Sequence, residues 1–256
     1  MKSFFLMIMI FLLFGVNYPL YCTDHTDGGY FLKRIEYNIL MRGLMKSDNL
    51  YNVNNKSIID RVFFGETNSP VEFVIQTSFE GAFGLRLIKD SSDSVCLIEV
   101  MSMPNSDEIV RILSKKENEI LLPYELQSSI SLEVMNRINE YNKKVICDKQ
   151  CGEIYKPYRT KTKMIAVSQL LVDKLYYKTV SLIESFKAEG IPPLISDGDE
   201  VTFRCVVGSE LWTLIIHDPQ KRALQLSDIY RRIILDIRND ELNELVYLNL
   251  LDEITL

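Results

Sequence analysis

The chain has 256 residues, 47% of them hydrophobic and 25% charged, with a formal net charge of -6. Such a composition excludes a disordered chain, and the length leaves room for one large domain or two small ones with a real core. The basic residues are scattered through an acidic whole, which argues against a nucleic-acid binder.

Lys2 precedes an apolar run over 4–16, and Asn17, Pro19 and Cys22 follow it. One charge, about a dozen apolar residues and a helix-breaking exit have the form of a secretory signal peptide. A bilayer-spanning helix needs roughly 20 apolar residues. The expected layout is a signal peptide over 1–22 and one domain over 23–256, with a weak boundary in the polar stretch 142–163. The mature protein is expected to be secreted or periplasmic. A lipid on Cys22 would instead anchor it to the envelope, although Tyr21 stands where a lipid-attachment motif wants a small residue. Membrane contact is expected only through the signal or that lipid.

Phe31, Leu32, Ile35, Ile39 and Leu40 recur at spacings of three and four, which predicts a helix over 30–45, with strand as the alternative. An asparagine-rich loop follows, in which Asn55-Lys56-Ser57 matches the glycosylation sequon. Pro70 opens a β-rich block. Strands are expected over 71–77, 83–89 and 95–101, separated by the turn-forming stretches 79–82 and 90–94, as an antiparallel meander. Asn105 and Ser106 offer a cap for a short helix through Ile109, Ile112 and Leu113. A second helix is expected over 128–144, with Ile130, Val134, Met135, Ile138 and Tyr141 on one face.

The basic run from Tyr158 to Lys163 reads as an exposed strand edge. A strand over 164–167 leads to Ser168, which caps a helix running to 189, where Gly190, Pro192 and Pro193 stop it. Segments 200–207 and 211–217 form a hairpin around Gly208-Ser209. Ser227 is expected to begin a helix burying Ile229, Tyr230, Ile233, Ile234 and Ile237, and an amphipathic tail ends the chain. Strands grouped with hairpins, not a regular β-α-β alternation, give an α+β class. The sheet is built from the meander and the later hairpin, and amphipathic helices pack against it.

Four cysteines follow the signal: Cys96, Cys147, Cys151 and Cys205. In an exported chain an even number points to disulfides. Cys147 and Cys151, with three residues between them in a segment read as a polar loop, are expected to form a local bridge. Free thiols and a metal site are the rival readings, and no nearby His or Cys completes four metal ligands. Cys96 shares a strand face with Ile98 and Val100, and Cys205 with Phe203 and Val207, so both are expected as buried thiols on apolar strand faces. A bridge between them is the alternative.

The clustered carboxylates Asp197, Asp199 and Glu200 could hold a hard cation, but the Asp197-Gly198 pair ahead of a strand reads first as a turn. His217 precedes Asp218-Pro219 and is the one candidate catalytic base. No nucleophile elbow accompanies it. Glu210 and Trp212 lie in the same hairpin and are candidate partner-binding residues, since an exposed Trp is a common interface anchor; a buried Trp212 is the competing and leading reading. Phosphate-loop, Rossmann, His-Glu-x-x-His and zinc-ribbon patterns are missing, and no cofactor is implied. The expected function is an exported, non-enzymatic protein that binds a protein or other macromolecule outside the cytoplasm, such as an envelope-located inhibitor or immunity-type protein. The alternatives are an exported hydrolase using His217 with nearby carboxylates, and a secreted or surface structural protein.

Overall fold

Apolar residues at every second position of 71–77 and 200–207 require a surface covered on at least one side. The computed structural model of the chain describes residues 31–38, 43–49, 57–65, 69–89, 95–116, 118–127, 129–150, 152–159, 162–186, 198–208 and 210–254. Among them, eight strands form one sheet: β1 (Phe31–Asn38), β2 (Gly43–Asn49), β3 (Val71–Thr77), β4 (Gly81–Lys89), β5 (Cys96–Met103), β6 (Lys163–Val167), β7 (Glu200–Val207) and β8 (Glu210–His217). Their order is β2-β1-β8-β7-β3-β4-β5-β6. All neighbours are antiparallel except β1 and β8, which run parallel. The meander β3-β4-β5 and the hairpin β7-β8 meet where β3 pairs with β7, and the architecture is α+β.

The described helices are α1 (Ile58–Phe64), α2 (Ser106–Lys116), α3 (Tyr124–Gln127), α4 (Leu132–Gln150), α5 (Gln169–Ser185), α6 (Lys221–Asn239) and α7 (Glu244–Glu253). Strand alternation sends Val71, Phe73, Phe203, Cys205, Leu85 and Ile98 to one face, where α5, α6 and α7 bury them in the main core. Tyr230 of α6 stacks on Phe73 with ring centroids 4.8 Å apart, and Leu171 and Leu175 of α5 are fully buried. The other face is covered by α1 and α2. Ile59, Val62 and Phe63 pack there with Val74, Met101, Met103 and Leu113. Gly84 makes this approach possible, because a Cβ on it would lie 2.5 Å from the Phe63 ring.

Several expectations change. Residues 31–38 and 43–49 are strands, not a helix. Spacings of three and four did not exclude strand, and the parallel pairing of β1 with β8 decides the matter. Helix α1 was not expected. Its N-cap Ser57 accepts from the Asp60 N–H at 3.1 Å, and the Asp60 carboxylate accepts from the Ser57 N–H at 3.0 Å, a reciprocal cap that the sequence spells as Ser-x-x-Asp. Helix α4 begins at Leu132 and continues to Gln150, so Cys147 is helical and not in a loop. Tyr158 lies in a 3-10 turn and only Lys163 belongs to the edge strand β6. Helix α6 begins at Lys221, and Ser227 lies inside it with its hydroxyl donating to the Leu224 carbonyl. Ser168 does cap α5, accepting from the Leu171 N–H at 3.3 Å. The expected stop at Gly190, Pro192 and Pro193, and the sequon residue Asn55, lie outside the described residues.

Candidate functional site

The expected catalytic region lies at one end of the sheet. The end of β8 brings His217 beside Glu200, its partner in the β7 register. Gly198 is close by: a Cβ on it would lie 3.3 Å from His217 Nε2. The Asp218 N–H donates to the Asp199 carbonyl at 2.7 Å. The side chains diverge, however. Asp199 reaches toward Arg231 of α6 at 3.7 Å, and α6 covers the face carrying Val201 and Phe203. His217 shares the opposite face with Glu200 by strand alternation. Burial pushes the Asp199 carboxyl above its ordinary range; Arg231 opposes this, and Glu80, Asp218 and Asp228 reinforce it. Arg231 also binds Glu80 at 2.8 Å. This is a charge cluster tied to a helix. Asp197 lies outside the described residues. Among the described residues no group of three His, Cys, Asp or Glu side chains converges to hold a metal ion.

The hairpin end departs from the anchor picture. Trp212 is only 9% exposed and belongs to the main core. Its indole N–H donates to the Glu210 carboxylate, so Glu210 satisfies a largely buried donor and is itself half-buried. The cysteines divide in the same way. Cys96 and Cys205 are buried thiols. They lie on β5 and β7, with β3 and β4 between them. Three inter-strand steps of about 4.8 Å separate them by roughly 14 Å, twice the reach of a disulfide. Cys147 is on the exposed side of α4, and Cys151, its expected partner, lies outside the described residues.

Between the sheet and α1 runs a row of charge that strand alternation alone does not announce. The register sets Thr213, Arg204, Glu72, Arg86 and Glu99 side by side across β8, β7, β3, β4 and β5. Arg204 donates to Glu72 and to Asp60 of α1, each at 3.1 Å, and to Thr213 at 3.4 Å. Its side chain is 2% exposed. Burial disfavours the charged guanidinium, and the carboxylates of Asp60 and Glu72 outweigh that effect, so Arg204 holds its proton more tightly than usual. Arg86 pairs with Glu99 and donates to the Phe64 carbonyl at 3.2 Å. Every charge in the row is engaged inside the molecule, which makes it a fastening for α1.

A different feature faces solvent. Between α2 and the 3-10 turn, the chain forms an arm of α3, α4 and the segment before them. Along α4 only Val145 is buried among the residues whose exposure is described. Asn142 donates to the Ile120 carbonyl at 3.0 Å and accepts from its N–H at 2.8 Å, which ties the segment to the middle of α4. Of sixteen exposed large apolar side chains among the described residues, seven fall between Ile120 and Tyr141. Leu121 and Tyr124 are each 84% exposed and Leu132 is 77% exposed. The periodicity of α4 marks an amphipathic helix, yet its apolar stripe meets little of the protein. At its base the arm is anchored: Tyr155 is buried, and its hydroxyl accepts from Arg61 of α1 at 2.7 Å. Comparison with known families, characterised proteins and solved structures found no match.

Proposed function

We propose that the chain is an exported, non-enzymatic protein that binds another macromolecule, in the manner of an envelope-located inhibitor or immunity-type protein. The observation that carries the reading is the arm, where large apolar side chains concentrate outside either core. Contiguous exposed apolar surface is costly in water and commonly marks an interaction site. The leading apolar segment supports export, and no described helix is long and apolar enough to cross a membrane. Capture from extracytoplasmic material with the intact chain, and with Leu121→Ser/Tyr124→Ser/Leu132→Ser, tests it. The triple variant should lose the captured partner while keeping its circular dichroism and melting behaviour. A partner retained in full would remove the arm from the reading. The hydrolase reading rests on His217 near Asp199. If His217→Gln abolishes a measured turnover while the fold is intact, the hydrolase replaces the binder, since a general base contributes about a hundredfold to ten-thousandfold.

A further inference from the structure

We infer that Phe79 anchors a partner protein: the turn between β3 and β4 presents its ring to an apolar pocket whose rim carries lysine or arginine. The inference rests on the macromolecule-binding reading and adds a contact apart from the arm. Gln76, near the end of β3, donates to Asp107 in the first turn of α2 at 3.2 Å, whereas the arm leaves from the other end of that helix. The turn residues around Phe79 are all fastened. The Thr77 hydroxyl donates to the Gly81 carbonyl at 3.2 Å and accepts from the Glu80 N–H at 2.8 Å. The Ser78 hydroxyl donates to the Gly198 carbonyl at 3.4 Å, and Arg231 donates to the Glu80 carboxylate at 2.8 Å. Gly81 has a φ of +83°, and a Cβ on it would lie 2.3 Å from the Met103 carbonyl oxygen, which holds the turn against the end of β5. Phe79 is the member left out. It is 87% exposed, the most of any large apolar side chain among the described residues, and it belongs to neither core cluster. A ring carried on a fixed turn enters a pocket without the ordering cost that a mobile loop would add.

Charge chooses the rim. Asp199 feels Glu80, Asp218 and Asp228 as like charges and Arg231 as its one cation among the described residues. Arg231 bridges Glu80 and Asp199 at 2.8 Å and 3.7 Å, so four carboxylates share one guanidinium at the base of the turn. Further out, Arg111, Lys221, Arg222, Arg232 and Arg238 outnumber Asp107, Glu108 and Glu200. The negative excess is therefore local, and with screening over about 8 Å the near charges are those a partner meets. A nucleic-acid backbone or an anionic bilayer meets that excess with like charge, and so does a second copy. A protein pocket with a basic rim matches both the ring and the field.

Cyclodextrins supply the pocket in the first experiment. β-Cyclodextrin takes a phenyl ring in its apolar cavity, and its rim can be made cationic with amino groups or anionic with carboxymethyl groups. Each derivative is titrated against the full chain labelled with 4-fluorophenylalanine and read by fluorine NMR. The resonance that Phe79→Ser removes should shift with both. The amino derivative should bind at least about tenfold more tightly, an advantage that salt erodes. Asp228→Lys should narrow the preference, and Glu140→Lys on the arm should keep it. In the second experiment a benzophenone side chain replaces the phenyl group at position 79 and is photolysed in extracytoplasmic material. The adduct should be with a protein, through a segment bearing lysine or arginine beside apolar residues. Equal affinity for the two derivatives, or equal effects of Asp228→Lys and Glu140→Lys, overturns the inference. So does an adduct with lipid, nucleic acid or a second copy, or no adduct at all. Arm-dependent capture without an adduct at 79 leaves the macromolecule-binding reading standing, so the two fail separately.

Discussion

Replacing Arg204 by Met should expose the cost of the charge row more directly than any other change. Arg204 sits between Asp60 and Glu72, 3.1 Å from each, and all three side chains are at most 2% exposed. At that distance and an effective dielectric of about 20, each pair contributes about 5 kcal/mol of gross attraction. Desolvation of the three ions offsets much of it, and the expected loss on removing the cation is about 3–5 kcal/mol. A domain of this kind has a total stability of about 5–15 kcal/mol, so the variant should be marginal. Urea unfolding followed by fluorescence suits the measurement, because Trp212 is the only tryptophan and pairs with Cys205, the residue after Arg204. Arg204→Met/Glu72→Gln/Asp60→Asn should recover most of the loss, since it leaves no unpaired charge and the two side-chain amides can still accept from the Ser69 and Ser57 N–H groups. A loss below about 1 kcal/mol, the range of exposed ion pairs, would refute the picture of a dry charge row. So would a triple variant as unstable as the single one.

Leu175→Ala should cost about 2–5 kcal/mol by the same unfolding assay, since Leu175 is fully buried on the core-facing side of α5. Asp199→Asn should gain stability relative to the parent as pH rises. Burial holds the folded carboxyl above its ordinary value, so the native state binds the proton more tightly than the unfolded chain. That stabilisation is present at low pH and is lost as pH climbs from about 4 through the raised value; a difference running the other way would show that Arg231 dominates. Cys96 and Cys205 should resist alkylation in the native state and react only on unfolding, as mass mapping would read.

The hairpins were legible because period-two alternation and turn residues coincide in 71–103 and 200–217. The face that each strand buries was legible too, as Phe203 and Cys205 show. What alternation does not say is whether the polar face meets water. Glu72, Arg86, Glu99 and Arg204 occupy positions that read as solvated. Glu72, Glu99 and Arg204 are buried and Arg86 is half-buried on the face that α1 shares, and α1 escaped notice although Ser57 and Asp60 spell its cap. The opposite holds at α4: Val134, Ile138 and Tyr141 have core-like spacing, yet Val134 and Tyr141 are exposed and Ile138 is only half-buried. Periodicity reports that a helix has an apolar face, not whose surface answers it. Trp212 is a related case: a hairpin position does not tell which side of the sheet is capped by α6, and both an exposed and a buried indole were compatible with the sequence.

The charge row and the arm meet at α1. With seven residues this helix is too short to persist alone in water, so its place is set by what it docks against. Apolar packing through Phe63 on Gly84 would tolerate small slides along the sheet, whereas Asp60 must meet Arg204 at one position. The next residue, Arg61, donates to Tyr155, where the chain returns from α4. Lys116, at the end of α2, donates to Tyr158 at 2.7 Å on the same return. Both ends of the arm are therefore held by the layer that Asp60 registers. A surface built to present exposed leucines and tyrosines needs a fixed base, because each side chain ordered only on binding would cost about 0.5–1.5 kcal/mol of affinity. On this argument the buried ions contribute position more than stability. The charge-neutral triple variant separates the two: it should keep most of the stability while letting the arm shift, which amide exchange at Tyr155 and Tyr158 would report as lost protection.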